Sequence, residues 1–400
     1  MDFFEDIDWD DVGDMAESVA DLFSHAALTD ERGYMNYFAS GRVNLIGEHI
    51  DYNGGLVMPI AINLGIKGLY KTREDSKVCL YSTTHDEHVI FDIAETPDAY
   101  DIEASWANYP IGVINALRND GVNLLGFDLF FDSTLPEGSG LSSSAAIEVL
   151  TAYTLLHQSG RNINLSDMAV LCQGVENNFI GVNCGIMDQF AVANCKKDHA
   201  LLLDCNTLEY EHVSFELDDY SLLVINSKKP RSLIKSAYNQ RKSESDEALH
   251  ILLKADKLSH AESLVHADMS DLSIIVDPTI RKRARHVVSE NLRVKHAVAA
   301  LKMGDLHTFG RLMNASHQSM KEDYEVTGIE MDTLAETAQH IDGCLGARMT
   351  GGGFGGCAIA LVKKTSIENF NKIVTARYRM VTGLDCEIYE CAAEDGVRAL

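Results

Sequence analysis

A serine-rich loop before a helical pattern is the feature of this sequence with the clearest chemistry. Gly138 and Gly140 precede Ser142, Ser143 and Ser144, and an apolar helical pattern follows. Glycines let a phosphate approach the backbone, and the positive end of the helix dipole favours an anion there. Because no Gly-Lys-Ser/Thr follows, the loop is not a Walker A motif. The loop predicts a phosphate site, and a Ser-capped helix after a turn is the alternative.

Two other segments indicate what the phosphate is held against. Residues 41–52, GRVNLIGEHIDY, place acids and a histidine close enough together to hold the hydroxyls of a polyol. Residues 350–356, TGGGFGG, contain five glycines in seven positions directly before an apolar strand, which indicates tight backbone geometry in the wall of a site. Together the three segments predict an enzyme that holds a nucleotide phosphate against a sugar.

Composition limits the class of protein. The chain has 400 residues, 46% of them hydrophobic, which is enough for a sizeable core and favours two domains. It contains no uncharged apolar run of about 18 residues and its acidic N-terminus lacks a secretory pattern, so we expect no membrane span. Nine cysteines without CxxC spacing predict reduced thiols in a cytoplasmic protein.

The formal net charge of -26 argues against nucleic acid or an anionic membrane as a partner. It does not argue against ATP, because the two effects act over different distances. A mean surface charge is screened within about 8–10 Å, whereas a helix N-terminus and a bound metal act at contact distance.

The remaining pattern describes the elements that position these segments. It predicts strands over 34–38, 57–69, 77–82, 127–131, 200–204, 220–226, 356–362 and 386–391. It predicts helices over 2–23, 106–117, 144–158, 165–179 and 366–382, and a mostly helical region over 232–343. Ser166 is the expected N-cap of the helix over 165–179, residues 85–88 are expected in a polar turn, and the basic cluster 281–285 on a solvated helix face. Strands and helices without steady alternation indicate an α+β protein, with a boundary near residues 205–220.

The three segments resemble the signatures of the GHMP small-molecule kinases. The serine loop is similar to the Pro-x-Gly-x-Gly-Leu-Ser-Ser-Ser-Ala loop of that family, and residues 41–52 are similar to the signature of its galactose-phosphorylating members. Shorter matches at 105–109, 184–189, 197–202 and 236–239 extend the resemblance from about residue 36 to residue 391. It implies a two-domain α+β fold with the active site between the domains. The expected N-terminal domain, over 1–210, is ribosomal-protein-S5-like and binds sugar and ATP, and the expected C-terminal domain, over 211–400, is a ferredoxin-like α/β domain.

The resemblance also implies a reaction, its partners and its residues. Such kinases transfer the γ-phosphoryl group of ATP to the anomeric C1 hydroxyl of α-D-galactose with Mg²⁺, the first committed step of galactose catabolism. We therefore expect galactose and ATP as small-molecule partners and a monomer. The expected catalytic residues are Asp188, facing the C1 hydroxyl, and Arg42 beside it. The expected sugar contacts are Glu48, His49, Ile50, Asp51, Gly185 and Tyr238. The expected nucleotide contacts are Ser82, Trp106, Tyr109, Gly138, Ser139, Gly140, Leu141, Ser142, Ser143 and Ser144, and the expected Mg²⁺ ligands are Ser144 and Glu176.

Several alternatives remain open at this point. Asp188 could abstract the hydroxyl proton or mainly orient the hydroxyl, and Arg42 could pair with Asp188 or stabilise the transferring group. Trp106 could be a core residue, and Glu176 could be an acid on a solvated helix face. The function could also be that of a GHMP kinase for N-acetylgalactosamine or of a non-catalytic sensor of galactose and ATP. Such sensors lose residues of the Ser-Ser-Ser-Ala stretch, which is intact over 142–145.

Overall fold

The computed structural model describes residues 33–230, 234–259 and 262–400, with side chains from residue 236 in the second range. The helix predicted over 2–23 lies outside these residues. The strands are β1 (Met35–Asn44), β2 (Leu56–Val57), β3 (Pro59–Thr72), β4 (Lys77–Ser82), β5 (Glu87–Asp92), β6 (Phe127–Ser133), β7 (His199–Asp204), β8 (Tyr210–Ser214), β9 (Tyr220–Asn226), β10 (Cys344–Thr350), β11 (Cys357–Lys363), β12 (Glu387–Cys391), β13 (Ala393–Glu394) and β14 (Arg398–Ala399). The α-helices are α1 (Asn108–Asn119), α2 (Ser143–Gln158), α3 (Leu165–Val175), α4 (Met187–Asn194), α5 (Ile234–Lys254), α6 (Pro278–Lys302), α7 (Leu306–Ser319), α8 (Gly328–Gln339) and α9 (Ile367–Thr382).

Three sheets organise the described part of the chain. The first has the order β14-β1-β3-β6-β4-β5, with β13 also paired to β3, and its strands are antiparallel except for the parallel pair β4 and β6. Helices α2 and α4 pack against β1 and β3 of this sheet. The second sheet, β10-β11-β9-β12, is antiparallel, and α7 and α8 pack against β10. A small third sheet, β2-β7-β8, completes the set.

The predicted elements that fall on described residues are found in the structure, with some boundaries corrected. Strands 77–82 and 220–226 have the predicted bounds. The turn between β4 and β5 is 83–86 and not 85–88, because Glu87 and His88 already pair in β5. The N-cap of α3, however, is Asn164 and not Ser166, because the Asn164 side chain accepts the backbone N–H groups of Ser166 and Asp167 at 3.0 and 3.3 Å. Asparagine caps a helix as well as serine does, so the helix begins at Leu165, two residues before a Ser166 cap would start it.

The basic cluster of α6 is only partly solvated. Lys282 and Arg285 are about half exposed, as predicted, but the side chain of Arg283 is 2% exposed. Its guanidinium donates to Glu244 Oε2 at 2.6 Å and to Glu325 Oε2 at 2.8 Å. The prediction is wrong for Arg283 because α5 and the turn after α7 cover that side of the helix with acids.

The two-domain division at residue 210 stays a prediction. The strand pairing indicates that a single cut in the chain would not separate the sheets. Strand β8 pairs with β7 in the third sheet, and β13 and β14, close to residue 400, return to β3 and β1 of the first sheet. Residues after 211 therefore contribute to both halves of the molecule.

Within the described ranges, every helix is too short or too polar to cross a membrane.

Candidate active site

A bulge in β1 aims Arg42 towards the serine loop. The pairing of β1 with β3 shifts register between Ser40 and Arg42, at Gly41. A Cβ on Gly41 would lie 2.5 Å from Leu135 Cδ2 and 2.8 Å from the backbone oxygen of Leu141, so only glycine fits this approach. The Arg42 backbone N–H donates to the Leu141 oxygen at 3.1 Å. Because a bulge redirects the side chain that follows it, the strand delivers Arg42 to the loop.

The serine loop has the backbone expected of an anion site. Gly138, Gly140 and Ser142 have φ values of +62°, +76° and +65°, a left-handed conformation that costs a non-glycine residue about 1–2 kcal/mol. Ser142 is the N-cap residue of α2, yet its side chain makes no capping hydrogen bond. The first N–H groups of α2 therefore remain for a ligand. The Ser142 hydroxyl instead donates to Asp188 Oδ2 at 2.6 Å.

Asp188 and Arg42 form a bidentate ion pair at the centre of the cleft. Arg42 Nε donates to Asp188 Oδ1 at 2.9 Å and Nη2 donates to Oδ2 at 2.7 Å, while Nη1 donates to the Gly140 oxygen at 2.8 Å. The Arg42 side chain is 5% exposed and that of Asp188 is 29% exposed. The guanidinium is therefore the buried support, and the carboxylate is the group open to the cavity.

One cavity of about 330 Å³ brings most of the predicted sugar contacts together with Asp188. Its walls include Arg42, Glu48, His49, Asp51, Ser142, Ser143, Ser144, Gly185, Asp188, Tyr238, Gly351 and Gly352. Ile50 does not line this cavity, because its side chain is fully buried in the core. The glycine segment supplies part of the wall, as its tight geometry predicted.

Burial sets the protonation of the polar side chains in this cavity. It raises the pKa of Asp51 to about 6, helped by the charge of Asp188. It raises the pKa of Glu48 to about 7, against the opposing charges of Arg348 and Arg42. It lowers the pKa of His49 to about 3, so this imidazole is neutral at physiological pH.

Neutral His49 can hold a hydroxyl group. Its Nδ1 lies 2.8 Å from the Tyr52 hydroxyl, while its Nε2 is buried and has no partner among the residues described. The His49 ring lies 5.5 Å from the Tyr238 ring, centroid to centroid. An unpaired ring nitrogen beside two carboxyl groups is the donor and acceptor set that a sugar needs.

A second cavity of about 550 Å³ contains the residues predicted for the nucleotide base. Ser82, Trp106 and Tyr109 line it, and Gly138, Ser143 and Ser144 line both this cavity and the first. Ser139 and Leu141 have buried side chains and line neither of the two cavities. Because the serine loop is the wall shared by the two cavities, a phosphate held there would lie between a ligand in the first cavity and a ligand in the second.

Trp106 is buried and also belongs to the second cavity. Its ring is parallel to that of His85, with an interplanar angle of 6° and centroids 6.1 Å apart. Its indole Nε1 is buried without a partner in the described part of the chain. An aromatic wall with an unpaired N–H suits a flat heterocycle better than it suits a closed core, where such a donor is normally satisfied.

Behind Ser144, buried oxygens form a group that suits a hard cation. Glu176 is 8% exposed at the start of the π-helical turn 176–180, so it is not an acid on a solvated helix face. Burial raises its pKa, as does the charge of Asp188, and hydrogen bonds from Cys184, Gln189 and Ser144 oppose the rise. Mg²⁺ prefers oxygen ligands of this kind, so Ser144 and Glu176 fit the expected ion.

Sequence reasoning missed Glu148, which belongs to the same group. Gln189 Nε2 donates to Glu176 Oε2 at 2.6 Å and to Glu148 Oε2 at 3.2 Å. Burial and the charge of Glu176 raise the pKa of Glu148, and its Oε1 has no partner in the described ranges. The available signal was spacing, because Glu148 follows Ser144 by four positions and so lies on the same face of α2.

A second cluster, His317, Asp332 and Glu336, has ligand atoms within 4.8 Å of one another but is not a cation site. The Lys321 ammonium already lies among these groups, 3.5 Å from Asp332 Oδ2 and hydrogen-bonded to Glu336. His317 Nδ1 accepts the Met349 N–H at 3.3 Å, and its Nε2 lies 3.4 Å from Asp332 Oδ1. Because the Lys321 ammonium already pairs with both acids, the cluster is an ion-pair network.

A serine loop at the start of a helix, a bidentate Asp–Arg pair and two adjoining cavities are features of a small-molecule kinase of the GHMP class. Family models match in three places: the GHMP kinases N terminal domain over 108–196, the galactokinase galactose-binding signature over 24–71 and the GHMP kinases C terminal domain over 297–379. Mevalonate kinase, with a TM-score of 0.65 over 90% of this chain and 99% of its own at 18% identity, shares the fold. The predicted fold class is confirmed.

Closer relatives narrow the class. Galactokinase from Clostridium beijerinckii is 45% identical over 91% of this chain and 94% of its own length, and that from Staphylococcus carnosus is 46% identical over 90% and 94%. The crystal structure of Lactococcus lactis galactokinase complexed with galactose superposes with a TM-score of 0.89, at 43% identity, over 97% of this chain and all of that chain. The chain belongs to the galactokinase family, as the sequence signatures predicted.

Proposed function

We propose that this chain transfers the terminal phosphoryl group of ATP to the anomeric C1 hydroxyl of α-D-galactose, giving galactose 1-phosphate and ADP. One observation carries the proposal. The Asp188 carboxylate, held from behind by Arg42, opens into a cavity whose walls are the sugar-signature residues and the serine loop. Acceptor, proton-accepting group and phosphate site therefore adjoin one another, as a direct transfer between two bound substrates requires.

The residues divide the chemistry between them. The C1 hydroxyl oxygen forms the new bond to the terminal phosphorus, the bond from that phosphorus to the bridging oxygen breaks, and ADP leaves. Asp188 accepts the hydroxyl proton, since its Oδ1 makes a single hydrogen bond, to Arg42 Nε, and retains a lone pair. The free N–H groups of α2 hold the phosphate charge, and the Arg42 fork fixes the direction of the Asp188 carboxylate.

We also propose that Ser144 and Glu176 hold Mg²⁺, with Glu148 and Gln189 behind them. The bound ion would neutralise charge on the phosphate oxygens during the transfer. On the sugar side, Glu48 and Asp51 accept hydroxyl hydrogens and neutral His49 offers its Nε2. Galactose specificity would follow from these matched groups, because a sugar lacking one hydroxyl leaves a buried partner unsatisfied.

The proposal is tested by galactose-dependent ATP consumption with the product identified as the 1-phosphate. Galactose, N-acetylgalactosamine and glucose are assayed in parallel, and we expect turnover to be fastest with galactose. Faster turnover with N-acetylgalactosamine would identify a kinase of different specificity. Galactose binding without ATP consumption would identify a sensor, which the intact 142–145 segment disfavours.

Replacing Gly185 with alanine should weaken galactose binding at least about tenfold. The new Cβ would lie 1.9 Å from Asp51 Oδ2, so the carboxylate must leave its position. Isothermal calorimetry with galactose measures the effect. Gly174→Ala is the control, because Gly174 lies in α3 with only Asn178 Nδ2, at 3.9 Å, near the added methyl group. Equal galactose affinity in Gly185→Ala and the wild type would remove Asp51 from the sugar site.

Galactose affinity should fall as the pH is lowered from 8 to 5.5, by roughly tenfold or more. The sign follows from the raised pKa values of Glu48, about 7, and Asp51, about 6, since both carboxylates become protonated in this range and lose acceptor capacity. His49 stays neutral throughout because its pKa is about 3. Calorimetry without ATP avoids titration of the nucleotide, and Glu48→Gln should flatten the profile. An affinity that is constant over this range contradicts the assignment of both carboxylates.

Cytoplasmic location and a monomeric state complete the proposal. All nine cysteines lie in the described ranges as free thiols, and burial raises the pKa of several, Cys195 and Cys344 among them, to about 12. Cysteines outside disulfides, several with a thiol pKa raised by burial, suit a reducing compartment. Light scattering on the purified chain tests the monomer.

A further inference from the structure

Glu48 is held by a buried arginine that lies just before the glycine-rich segment 350–356. Arg348, near the end of β10, is fully buried, and its Nη2 donates to Glu48 Oε2 at 2.6 Å. The Gly351 backbone N–H donates to the other carboxylate oxygen, Oε1, at 2.9 Å. Each oxygen of Glu48 is therefore fixed by one donor, Arg348 near the end of β10 or Gly351 in the glycine-rich segment. Because the two oxygens of a carboxylate together offer about four acceptor positions, a lone pair remains for a ligand.

The backbone around Glu48 is fixed as firmly as its side chain. Glu290 Oε1, on α6, accepts the N–H groups of Gly47 at 2.9 Å and Glu48 at 3.3 Å. His286 Nε2, one turn earlier on the same helix, lies 3.0 Å from the Glu48 backbone oxygen. With the backbone held independently, the contacts with Arg348 and with the Gly351 N–H determine how the carboxylate is turned.

A buried ion pair of this kind contributes little to stability. Taking both charges out of water costs about as much as their attraction returns, and apolar residues of similar volume often serve as well. The geometry offers another use. Glu48 lines the sugar cavity, whereas Arg348 does not, so the arginine acts on the cavity through the carboxylate.

We propose that Arg348 is a positioning residue for sugar recognition: it turns the Glu48 carboxylate so that a remaining lone pair meets one hydroxyl of the bound hexose. The inference rests on the proposed function. A lysine would keep the charge at this position but not the planar guanidinium. That plane is held at two points, by Nη2 on Glu48 Oε2 and by Nη1, which lies 3.4 Å from the Asn44 backbone oxygen.

The test compares the wild type and Arg348→Lys with galactose and its 2-, 3-, 4- and 6-deoxy derivatives. For galactose we expect KM and the equilibrium dissociation constant to rise roughly 5–150-fold in the variant, with kcat and the KM for ATP within about threefold. For one deoxy sugar, the one lacking the hydroxyl that Glu48 holds, wild type and variant should bind equally. The other three deoxy sugars should show the same loss as galactose.

Arg283→Lys is the matched control. Arg283 is also almost fully buried and paired with acids, Glu244 and Glu325, but it does not line the sugar cavity. We expect it to lower the melting temperature without changing the relative affinities for the five sugars. An Arg348→Lys variant that loses affinity equally for all five sugars, or that matches Arg283→Lys, overturns the proposal and leaves Arg348 a scaffold residue.

Two further measurements keep the outcome decisive. If Arg348→Lys does not fold, the double variant Arg348→Gln/Glu48→Gln replaces the ion pair with an amide pair. The galactose affinity of this double variant should fall to the affinity that the wild type has for the deoxy sugar lacking the hydroxyl that Glu48 holds. A galactose affinity equal to that of the wild type for galactose would overturn the proposal. If the wild type binds galactose but does not phosphorylate it, the proposed function fails and the proposal for Arg348 stands. The affinities for galactose and the deoxy sugars still decide the role of Arg348 in that case. If the wild type does not bind galactose, both fail.

Discussion

Replacing Asp188 with asparagine should lower kcat by roughly 10²–10⁴-fold, the usual contribution of a positioned proton acceptor, while galactose still binds. The amide of asparagine cannot take the hydroxyl proton. Its N–H₂ group would also face Arg42 Nη2 and Ser142 Oγ, two donors whose hydrogen bonds Asp188 Oδ2 accepts in the wild type. Single-turnover kinetics at saturating galactose separates the chemical step from binding.

The chain offers a closely matched control for this substitution. Arg73 and Asp75 form a bidentate pair of the same geometry on the surface, with Nε to Oδ1 at 2.8 Å and Nη2 to Oδ2 at 2.9 Å. Asp75→Asn breaks the same kind of interaction outside both cavities and should leave kcat unchanged. A near-normal kcat in Asp188→Asn would restrict Asp188 to orienting the hydroxyl, and the proton would then leave to solvent or to the phosphate itself.

Loss of the expected magnesium ligands should be the second large effect. Ser144→Ala and Glu176→Gln should each reduce the apparent Mg²⁺ affinity by at least about 10–100-fold, the loss found when even an outer partner of a metal site is removed, and kcat should fall with it. Magnesium titrations at saturating ATP and galactose measure both quantities. Titration of the Mn²⁺ signal by paramagnetic resonance gives the ion's affinity without turnover.

Ser143→Ala is the control for this experiment. Ser143 adjoins Ser144 in the same loop and lines the same two cavities. Its loss should raise the KM for ATP and leave the shape of the magnesium profile unchanged. If Ser144→Ala and Glu176→Gln also leave that profile unchanged, the ion binds elsewhere, and the buried group around Glu148 has a purely structural role.

The sequence predicted those parts of the site whose constraints are local. The close backbone approach at Gly138 and Gly140 and the helix start at the serine run depend on a few neighbouring residues, so the motif predicts them. The bounds of β4 and β9 were likewise set by short apolar runs. The N-cap of α3 was misplaced because Asn164 and Ser166 are chemically equivalent caps two positions apart, which a pattern does not distinguish.

The parts that the sequence did not predict depend on partners far along the chain. The local sequence predicts a solvated cation at Arg283. In the structure, Glu244 and Glu325, about 40 positions away on either side, cover and pair with its guanidinium. Arg348 and Glu48 are 300 positions apart, and nothing near either residue indicates that they meet. Long-range pairing of polar side chains has no period in sequence, so the supports of a site are harder to predict than its contacts.

The return of the strand at residues 398–399 to β1 has a consequence for biosynthesis. Tyr37 pairs with Ala399, so a strand made early waits for about 360 further residues before its neighbour exists. At about 5–20 residues per second the wait is roughly 20–70 s on the ribosome. During this wait, the edge of β1 at Tyr37 and Phe38 lacks its partner strand, and its backbone groups are open to pairing with another extended peptide. We expect chaperone demand to peak during translation and to decline once the last pair of strands has joined.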